Sequence, residues 1–348
     1  MHKAQVVVQT AFLGDLILSV PFLRRLKSNA PEEKLILICK KGLGSFLKDL
    51  KVIDDYFEIS KNDRRSYKLA KEYLTEFDIT QLYCVHRSVR SLLFTSQLKA
   101  EKKIGFSSML GFWVFDESAD YEESWPDAIR KFKLLSYSDP EVKMALAEID
   151  FSKLNTADKN GVMPPVPTLF AFNSLPSNSP NSKKVCLFPG SVWATKRWTL
   201  TGYTEVAQKL TAAGFDVLLL GGSDEKDLCD QIGEIVPQAK ILAGKLSIQQ
   251  SIQTVSECAL VIANDSAATH MAALAGIPSI SIFGPTTLDL GFRPWSDKAL
   301  VVQTDLSCRP CGKHGHDVCP LGHHHCMKFI AAAQVLDKAE MQLKISSP

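Results

Sequence analysis

The sequence has no apolar run long enough to cross a bilayer and no secretion signal at its start. Its longest apolar stretch, around residues 272–284, is broken by Gly, Pro and Ser, well short of the ~20 residues that a membrane-spanning helix needs. The chain begins Met-His-Lys and runs directly into residues 4–8, without the apolar core and small-residue cleavage site of a signal peptide. We therefore expect a cytoplasmic protein.

An excess of charge of one sign is also missing, and so is a secreted cysteine pattern. Lys and Arg number 40 against 38 Asp and Glu, so the net charge of +2 gives no electrostatic reason to expect nucleic acid as a partner. The nine Cys are an odd number in a chain without a secretion signal, which indicates reduced thiols rather than a disulfide framework. We expect a monomer that does not bind nucleic acid.

What the sequence does contain is a repeated α/β pattern. Its 348 residues are too many for one ordinary domain and suit two, and a hydrophobic share of 45% can fill two cores. Short β-rich segments alternate with amphipathic helical patterns, which indicates parallel sheets covered by helices on both faces. Because the pattern runs twice, we predict two doubly wound, Rossmann-like domains. The predicted strands are 5–9, 34–39 and 81–85 in the first half, and 184–188, 216–221, 260–263 and 279–283 in the second.

The domain boundary is visible in the composition. Residues 161–182 are rich in Pro, Asn and Ser, which favours an extended linker because Pro removes backbone donors and fixes φ. We predict an N-terminal domain at 1–160, a C-terminal domain at 183–330 and a C-terminal helix at 331–348. Ligands of open α/β sheets bind at the carboxyl ends of the strands, so two such domains would form an active site in a cleft between them.

The first candidate site residue is Asp15, in the loop Gln-Thr-Ala-Phe-Leu-Gly-Asp that follows the first predicted strand. Gly14 allows a tight strand-to-helix turn, and Asp15 then lies in the first helical turn. A carboxylate there is favoured by the helix dipole, so Asp15 can be a plain helix cap. It can also be a carboxylate at the mouth of the sheet, available as a general base.

In the second half, the corresponding loop is Pro-Gly-Ser-Val-Trp-Ala-Thr-Lys-Arg-Trp, residues 189–198. The backbone and hydroxyl of Ser191 could bind phosphate while Lys196 supplies a point charge. The loop fits neither G-x-G-x-x-G nor a Walker A motif, so the pattern alone also allows an ordinary basic loop. After the next strand, Gly-Gly-Ser-Asp-Glu at 221–225 places Asp224 either as a helix cap or as an acceptor for ribose or base.

A third loop, Asn-Asp-Ser-Ala-Ala-Thr-His at 264–270, follows a later predicted strand. Asp265 and Ser266 fall where the strand ends and a small-residue helix begins, and the free N–H groups of a helix start bind anions. His270 lies a little over one turn further along, and on its own it is more often a structural histidine than a catalytic one.

These loops, taken in order with residues 9–31 and the Cys-rich tail, resemble the successive motifs of the family 9 glycosyltransferases, the ADP-heptose:lipopolysaccharide heptosyltransferases. The order and spacing match over nearly the whole chain, and Cys-Pro-Leu-Gly-His-His-His-Cys-Met at 319–327 is most similar to the heptosyltransferase II type. The resemblance implies a GT-B architecture, with the two domains facing across a cleft. It also implies an inverting transfer of heptose from ADP-heptose to the inner core of lipopolysaccharide, without a required metal or other cofactor.

Carried over onto this sequence, the resemblance assigns the site. It makes Asp15 the base that deprotonates the acceptor hydroxyl, with Lys196 stabilising the leaving diphosphate. The implied donor-binding residues are Ser191, Val192, Lys196, Asp224, Asp265, Ser266, Ala267 and His270. Two positions depart from the family pattern, since Ala267 stands where Gly is common and Thr199 follows Trp198 where Pro is usual.

The implied acceptor is a lipid-linked, acidic oligosaccharide, which calls for basic residues in the first domain. Arg87, Arg90 and Lys103 are the candidates, although each basic group considered alone is more often solvated surface. Trp113 and Trp125, nearby in sequence, could line an acceptor groove or belong to the core. A lipid-linked acceptor also makes peripheral contact with the cytoplasmic face of the inner membrane an expectation.

The tail contains Cys308, Cys311, Cys319 and Cys326 together with five of the eight His residues. Cys-x-x-Cys is a zinc signal, and four thiolates could close a tetrahedral structural site. The later spacings are not those of a standard four-cysteine ribbon, so we predict no metal and instead a loop over the C-terminal domain.

Other functions remain open at this point. Within the family, another sugar or acceptor is possible. A nucleotide-dependent oxidoreductase of two Rossmann domains is disfavoured by the missing G-x-G-x-x-G. A two-lobed ligand-binding protein is disfavoured by the missing signal peptide.

Overall fold

The computed structural model describes residues 2–172 and 182–343, which divide into two compact units. Within these ranges, the first unit holds residues 2–150 and 168–170, and the second holds the remainder. Each unit is built on one six-stranded sheet in which every paired neighbour is parallel. The predicted α/β class, two doubly wound Rossmann-like units, is confirmed.

The first sheet has the strand order β3-β2-β1-β4-β5-β6. Its strands are β1 (His2–Gln9), β2 (Lys34–Lys40), β3 (Asp55–Ile59), β4 (Phe77–Cys84), β5 (Lys102–Phe106) and β6 (Glu117–Ala119). The chain runs from β1 through β2 to β3 at one edge of the sheet. The next strand, β4, pairs with the other side of β1, and β5 and β6 extend the sheet to the opposite edge. The topological switch point, where ligands of such sheets bind, therefore lies between β1 and β4.

The second sheet repeats this plan in the order β12-β11-β10-β7-β8-β9. Its strands are β7 (Lys184–Phe188), β8 (Asp216–Leu219), β9 (Lys240–Ile241), β10 (Leu260–Asn264), β11 (Ser279–Phe283) and β12 (Ala299–Gln303). Its switch point lies between β7 and β10, again the first and fourth strands of the unit.

Helices connect the strands and cover both faces, which explains why β10 and β11 are buried along their whole length. The first unit contains α1 (Leu13–Ile17), α2 (Val20–Asn29), α3 (Ser45–Asp49), α4 (Arg64–Leu74), α5 (Val89–Ser96), α6 (Asp127–Arg130) and α7 (Pro140–Glu148). The second contains α8 (Phe151–Leu154), α9 (Leu200–Ala212), α10 (Lys226–Ile235), α11 (Ile248–Ser256), α12 (Ala267–Ala275), α13 (His325–Lys328) and α14 (Ala332–Leu343). Among the described residues, no helix is long and apolar enough to span a membrane.

Helix starts follow the capping chemistry of their sequences. The side chain of Ser88 accepts a hydrogen bond from the Ser91 N–H and begins α5. Thr199, which stands where the family usually has Pro, accepts a hydrogen bond from the Gly202 N–H at 3.1 Å and begins α9. Thr therefore serves as an N-cap at this departure from the family pattern, because its hydroxyl satisfies a donor of the first turn.

The predicted domain boundaries fall close to, but not on, the division between the units. Residues 151–160, which the prediction gives to the first domain, group with the second unit. The described part of the predicted linker, 161–172, is packed rather than extended into solvent: Gly161 O accepts a hydrogen bond from Val301 N, and Phe170 is buried. Residues 173–181 of the linker and 344–348 of the predicted C-terminal helix lie outside the described residues.

Candidate functional site

Asp15 lies just beyond the carboxyl end of β1, at the switch point of the first sheet. It occupies the first turn of α1, whose N-cap Phe12 has no capping side chain. The pKa of the Asp15 carboxyl is raised to about 6: burial is the largest cause, the nearby charge of Asp127 also raises the pKa, and Lys131 and the N–H groups of Asp15 and Phe12 lower it in part. A carboxyl with a pKa of about 6 is mostly ionised at neutral pH yet basic enough to accept a proton efficiently.

The charges that act on Asp15 belong to a buried network. Asp127 and Arg130 lie on α6, and Lys131 follows directly; all three are almost completely buried. Lys131 Nζ contacts Asp127 Oδ2, and Arg130 Nη1 lies 3.5 Å from Asp127 Oδ1. These buried charges are paired with one another, and an unpaired buried charge would be costly.

A second polar cluster lies beside this loop, beyond the carboxyl end of β4. The Thr10 hydroxyl lies 2.7 Å from Nδ1 of His86 and 3.0 Å from the Ser91 hydroxyl. Burial and the charge of Lys61 lower the pKa of His86 to about 4, so His86 is neutral at physiological pH. Lys61 also interacts with Asp15, and its ammonium lies 5.5 Å from the centre of the exposed Phe12 ring.

The three predicted acceptor residues fall in two places. Arg87 and Arg90 follow β4 at the switch-point edge, and both are exposed. The Arg87 guanidinium lies over the Tyr121 ring at 4.1 Å from its centre, which fixes its orientation. Lys103 is the second residue of β5, so it lies near the opposite, amino end of its strand. The edge that carries Asp15 therefore brings together Arg87, Arg90 and Lys61 but not Lys103.

In the second unit, Asn264 at the end of β10 holds the loop that follows β7. Its Nδ2 donates to the carbonyl oxygens of Pro189 and Gly190 at 2.9 and 3.0 Å. Its Oδ1 accepts from Trp198 N at 2.9 Å, at the other end of the loop. Ser191 is buried within this loop and Val192 is exposed. One fully buried amide thus fixes both ends of the predicted phosphate-binding loop.

Lys196, Asp265 and Thr286 form the polar centre of this edge. Lys196 Nζ lies 2.5 Å from Asp265 Oδ2, and the Thr286 hydroxyl donates to the same oxygen at 2.7 Å. Asp265 is buried, so its charge is compensated by the lysine rather than by water. The pairing fixes where the lysine's positive charge sits, directly beside the start of α12.

The remaining predicted donor residues lie on or near α12. Ser266 is the N-cap, and its side chain accepts from Ala268 N at 3.4 Å. Ala267 is the first helical residue, so its N–H is one of the free donors at the helix start. His270 is buried on the same helix. The N–H groups at the start of α12 can bind an anion, and the Lys196–Asp265 ion pair lies beside them.

Of the two acidic residues Asp224 and Glu225, it is Glu225 that lies against the loop after β7. Asp224 is exposed in the short turn Ser223–Glu225. Glu225 lies against Gly190, where any side chain would overlap its carboxylate, and it accepts a hydrogen bond from Gly222 N at 2.8 Å. The sequence offers both acidic residues in one turn, so only the geometry distinguishes them.

The four Cys of the tail interact electrostatically with one another, so their thiols lie in one region of the second unit. Burial raises the pKa of Cys326 to about 11, which keeps this thiol protonated. Within 2–172 and 182–343, no group of three or more His, Cys, Asp or Glu residues has a geometry that could hold a metal ion. The predicted loop over the second unit is present and packs against residues 193–196 and 284–286.

Sequence reasoning missed three residues that shape these edges: Asn264, His86 and Lys131. Asn264 was visible as the polar end of an apolar strand, immediately before Asp265. His86 follows its strand in the same way. Lys131 carries no such signal, because it lies in an irregular helical segment more than a hundred residues from Asp15 and only the fold brings it near.

The fold and the two polar edges define a class, the two-unit α/β proteins that bind ligands at the switch points of doubly wound sheets. The sequence model of glycosyltransferase family 9 (heptosyltransferase) matches residues 67–321, and the chain belongs to this family.

Relatives with assigned names are similar over different lengths. Lipooligosaccharide heptosyltransferase 2 of Campylobacter jejuni subsp. jejuni serotype O:2 is 35% identical over 174 residues, which cover 48% of this chain and 53% of that protein. The chain therefore spans about half the length of this relative. Lipooligosaccharide heptosyltransferase 2 of Haemophilus influenzae is 21% identical over 360 residues, covering 95% of this chain and 97% of the relative.

Solved structures share the fold. The E. coli ADP-heptose lipopolysaccharide heptosyltransferase II superposes with a TM-score of 0.70 at 19% identity, covering 99% of each chain. The family 9 glycosyltransferase of Veillonella parvula superposes with a TM-score of 0.76 at 19% identity, covering 99% of this chain and 98% of the other. At this level of identity the likeness establishes the GT-B fold, while residue roles have to be argued from this chain itself.

Proposed function

We propose that this protein transfers heptose from ADP-heptose to the inner core of lipopolysaccharide, with inversion at the anomeric carbon. One observation carries the proposal: the two switch points hold complementary chemistry. The first has a carboxylate whose pKa is about 6, and the second has a lysine beside a helix start. A base and a diphosphate site are the two components that displacement of a nucleoside diphosphate by a hydroxyl requires.

The donor would bind at the second edge. Lys196 and the Ala267 N–H at the start of α12 would stabilise the diphosphate as it gains charge while the C1–O bond breaks. Fixed positive groups stabilise that developing charge more than the ground state, so they accelerate the reaction and not only binding. Ser191 and Val192 would complete the phosphate loop, His270 would support it from α12, and the nucleoside would meet Glu225 or Asp224.

The acceptor would react at the first edge. The acceptor oxygen forms the new bond to C1, its proton passes to an oxygen of Asp15, and ADP leaves with the electrons of the broken C1–O bond. A single displacement with one base inverts the anomeric centre, through an oxocarbenium-like state. Because Lys196 and the α12 start supply the positive charge, we propose that the reaction continues in the presence of a metal chelator.

The acceptor is proposed to be an acidic, lipid-linked oligosaccharide. Arg87 and Arg90 are exposed at the same edge as Asp15, and Lys61 is half-buried beside them. Phosphate and carboxylate groups of an inner core would pair with these cations. Lys103, at the other end of its strand, is the weakest of the predicted acceptor residues.

A membrane contact is proposed on a separate feature of the first unit. Residues 109–113 contain Phe112 and Trp113, which are 78% and 83% exposed, together with Met109 and Leu110. Consecutive exposed aromatic and aliphatic side chains suit the interface of a bilayer in which a lipid-linked acceptor resides. Sedimentation with vesicles of E. coli polar lipids should recover the wild-type protein, and the double variant Phe112→Ser, Trp113→Ser should stay in the supernatant; equal sedimentation would contradict this contact.

The proposed activity is tested with purified protein, ADP-heptose and a panel of truncated lipopolysaccharide cores. We expect one acceptor to gain the mass of one heptose with stoichiometric release of ADP, and the new linkage to have the anomeric configuration opposite to that of the donor. Parallel reactions with other nucleotide sugars distinguish a family member that uses another donor. Release of ADP without a glycosylated product, or a product only from another donor, would overturn the proposal.

A further inference from the structure

The Cys/His-rich segment 308–326, referred to below as the strap, packs directly on the turn that carries Lys196. Thr195 is the centre of this contact. Its N–H and its hydroxyl both donate to the His316 carbonyl, at 3.0 and 2.8 Å, and its hydroxyl accepts from His316 N at 2.7 Å. Nε2 of His324 lies 2.7 Å from the Thr195 carbonyl oxygen. All the polar groups of Thr195 therefore bond to the strap.

The surfaces beside these hydrogen bonds also fit closely. The ring of His314 stacks on Trp193, with ring centres 6.0 Å apart and planes inclined by 10°. A methyl group on Gly315 would lie 2.7 Å from Trp193 Cβ and 3.0 Å from Lys196 Cγ, so only glycine allows this approach. The strap thus touches the residues on both sides of Thr195.

The other end of the strap is fixed to the loop after β11. Arg309 donates to the carbonyl oxygen of Thr286 at 2.8 Å and also to that of Gly284. Cys311 N donates to the carbonyl oxygen of Pro285 at 2.8 Å. Thr286 is the residue whose hydroxyl bonds Asp265, the partner of Lys196. The strap therefore holds both loops that converge on Asp265.

We propose that the strap is a positioning element for donor binding, which fixes Lys196 at the diphosphate site by holding the turn through Thr195. The inference rests on the proposed donor role of Lys196 and assigns a role to the Cys/His-rich segment. Ordering a lysine side chain on binding costs conformational entropy. This cost is smaller when the backbone that carries the lysine is already held in place before the donor binds. Supporting hydrogen bonds of this kind decide whether a binding group is correctly placed.

The test replaces the hydroxyl while keeping the shape of the residue. Thr195→Val removes both hydroxyl hydrogen bonds to His316, and Thr195→Ser retains them. We expect Thr195→Val to raise the KM for ADP-heptose and the Kd for ADP by about tenfold, corresponding to one or two lost buried hydrogen bonds. Because Lys196 is also proposed to stabilise the leaving diphosphate, kcat should fall as well. The KM for the acceptor should stay near its wild-type value, and Thr195→Ser should restore both donor affinity and kcat.

Thr204→Val is the matched control in the same unit. The buried Thr204 hydroxyl donates to the Leu200 carbonyl within its own helix, away from the strap. This variant should leave donor affinity unchanged. Gly315→Ala probes the same contact from the strap side, because its added methyl would press on the turn and should also weaken ADP binding. Wild-type ADP affinity in both Thr195→Val and Gly315→Ala would overturn the strap's role. If Lys196→Ala also binds ADP normally, the proposed donor site itself fails, so the two failures are distinguishable.

Discussion

The two sheets share one strand order, yet their carboxyl edges are chemically different. At the first edge, burial is the main cause of two altered pKa values. The pKa of Asp15 is raised to about 6, and the pKa of His86 is lowered to about 4. At the second, Lys196 and Asp265 are paired to each other, and the loop around them is fixed by the amide of Asn264. One edge can change its protonation state near physiological pH, whereas the other presents a fixed charge pattern.

The proposed function gives different tasks to equivalent positions of one topology. Proton transfer requires a group whose pKa lies near the working pH, and the first edge has one. Recognition of a diphosphate requires donors that do not reorganise, and the second edge supplies them from a salt bridge and a helix start. Substitutions at each edge test this division of tasks, and the largest effect is expected at Asp15.

Removing the proposed base should impair proton transfer at the first edge and leave donor binding at the second edge unchanged. Asp15→Asn keeps the size and polarity of the side chain but cannot accept the acceptor's proton, so kcat should fall by about 10²- to 10⁴-fold. Steady-state assays of heptose transfer measure it. Asp63→Asn, at a helix cap in the same unit, is the matched control and should retain normal turnover. Near-normal turnover in Asp15→Asn would reduce Asp15 to a helix cap.

Removing the positive charge of Lys196 should impair donor binding and turnover at the second edge. Lys196→Ala loses a charged hydrogen bond to the donor diphosphate, worth about 1.5–3 kcal/mol, so kcat/KM for ADP-heptose should fall by about 10- to 100-fold. Lys196→Arg should restore it only in part, because a planar fork does not replace an ammonium in a fixed pocket. The exposed Lys209 on α9 provides the control substitution to Ala, with no loss expected.

The pH profile can sharpen the account of the first edge. The proposed base must be ionised to accept a proton, so kcat/KM should rise with pH through about 6, the pKa of the Asp15 carboxyl. Lys131 lowers this pKa and Asp127 raises it, while Lys61 faces the loop from the other side. Lys131→Met should therefore move the acid limb to higher pH, and Asp127→Asn should move it to lower pH.

Opposite shifts are informative because general structural damage would not give them. Both substitutions disturb the same buried ion pair and should lower the melting temperature together. If the two profiles move in the same direction, or neither moves, the charges of Asp127 and Lys131 do not act on the base.

The smallest effect on activity is expected at Asp139, which stabilises the first unit at a place away from both edges. Asp139 accepts from Arg25 Nε and Nη2 at 2.6 and 2.9 Å, from Asn29 at 2.8 Å, and from Val142 N at 3.1 Å as the cap of α7. Asp139→Ala should lower the free energy of unfolding by about 1–3 kcal/mol and leave kcat/KM within about twofold.

The same carboxylate gives a stability dependence on pH. Its hydrogen bonds with Arg25 hold the pKa of Asp139 at about 2, below its ordinary value of 3.8. The stabilisation is therefore present above pH 4 and is lost as the pH falls toward 2, because protonation removes the charge that Arg25 pairs with. Urea unfolding of wild type and Asp139→Ala at pH 7 and pH 3 measures it, and a difference that does not shrink at pH 3 would contradict this origin.

The sequence predicted the fold and the position of both edges because these depend on local patterns. Apolar segments that end in polar residues mark the carboxyl ends of strands, so the positions of Asp15, Lys196 and Asp265 beyond those ends could be predicted from the sequence. Short strands at the sheet margins, such as β6 and β9 with three and two residues, carry too few apolar residues to be recognised.

What the sequence could not predict depends on distant contacts. The raised pKa of Asp15 comes first from burial and then from the charges of Asp127 and Lys131, and the fold supplies all three by bringing distant segments near. The Cys/His-rich tail suggested a choice between metal ligation and packing, but its hydrogen bonds to Thr195 are made mainly by backbone groups that no motif encodes. For the same reason Lys103 was grouped with Arg87 and Arg90, although its place in β5 separates it from them.

The division of tasks between the edges is tested most directly by titrating ADP into wild type, Asp15→Asn and Lys196→Ala under one set of conditions in a calorimeter. We predict an ADP affinity within a few-fold of wild type for Asp15→Asn, despite its lost turnover, and an affinity about 10- to 100-fold weaker for Lys196→Ala. Equal ADP affinity in all three proteins, or a larger loss in Asp15→Asn than in Lys196→Ala, would contradict the account.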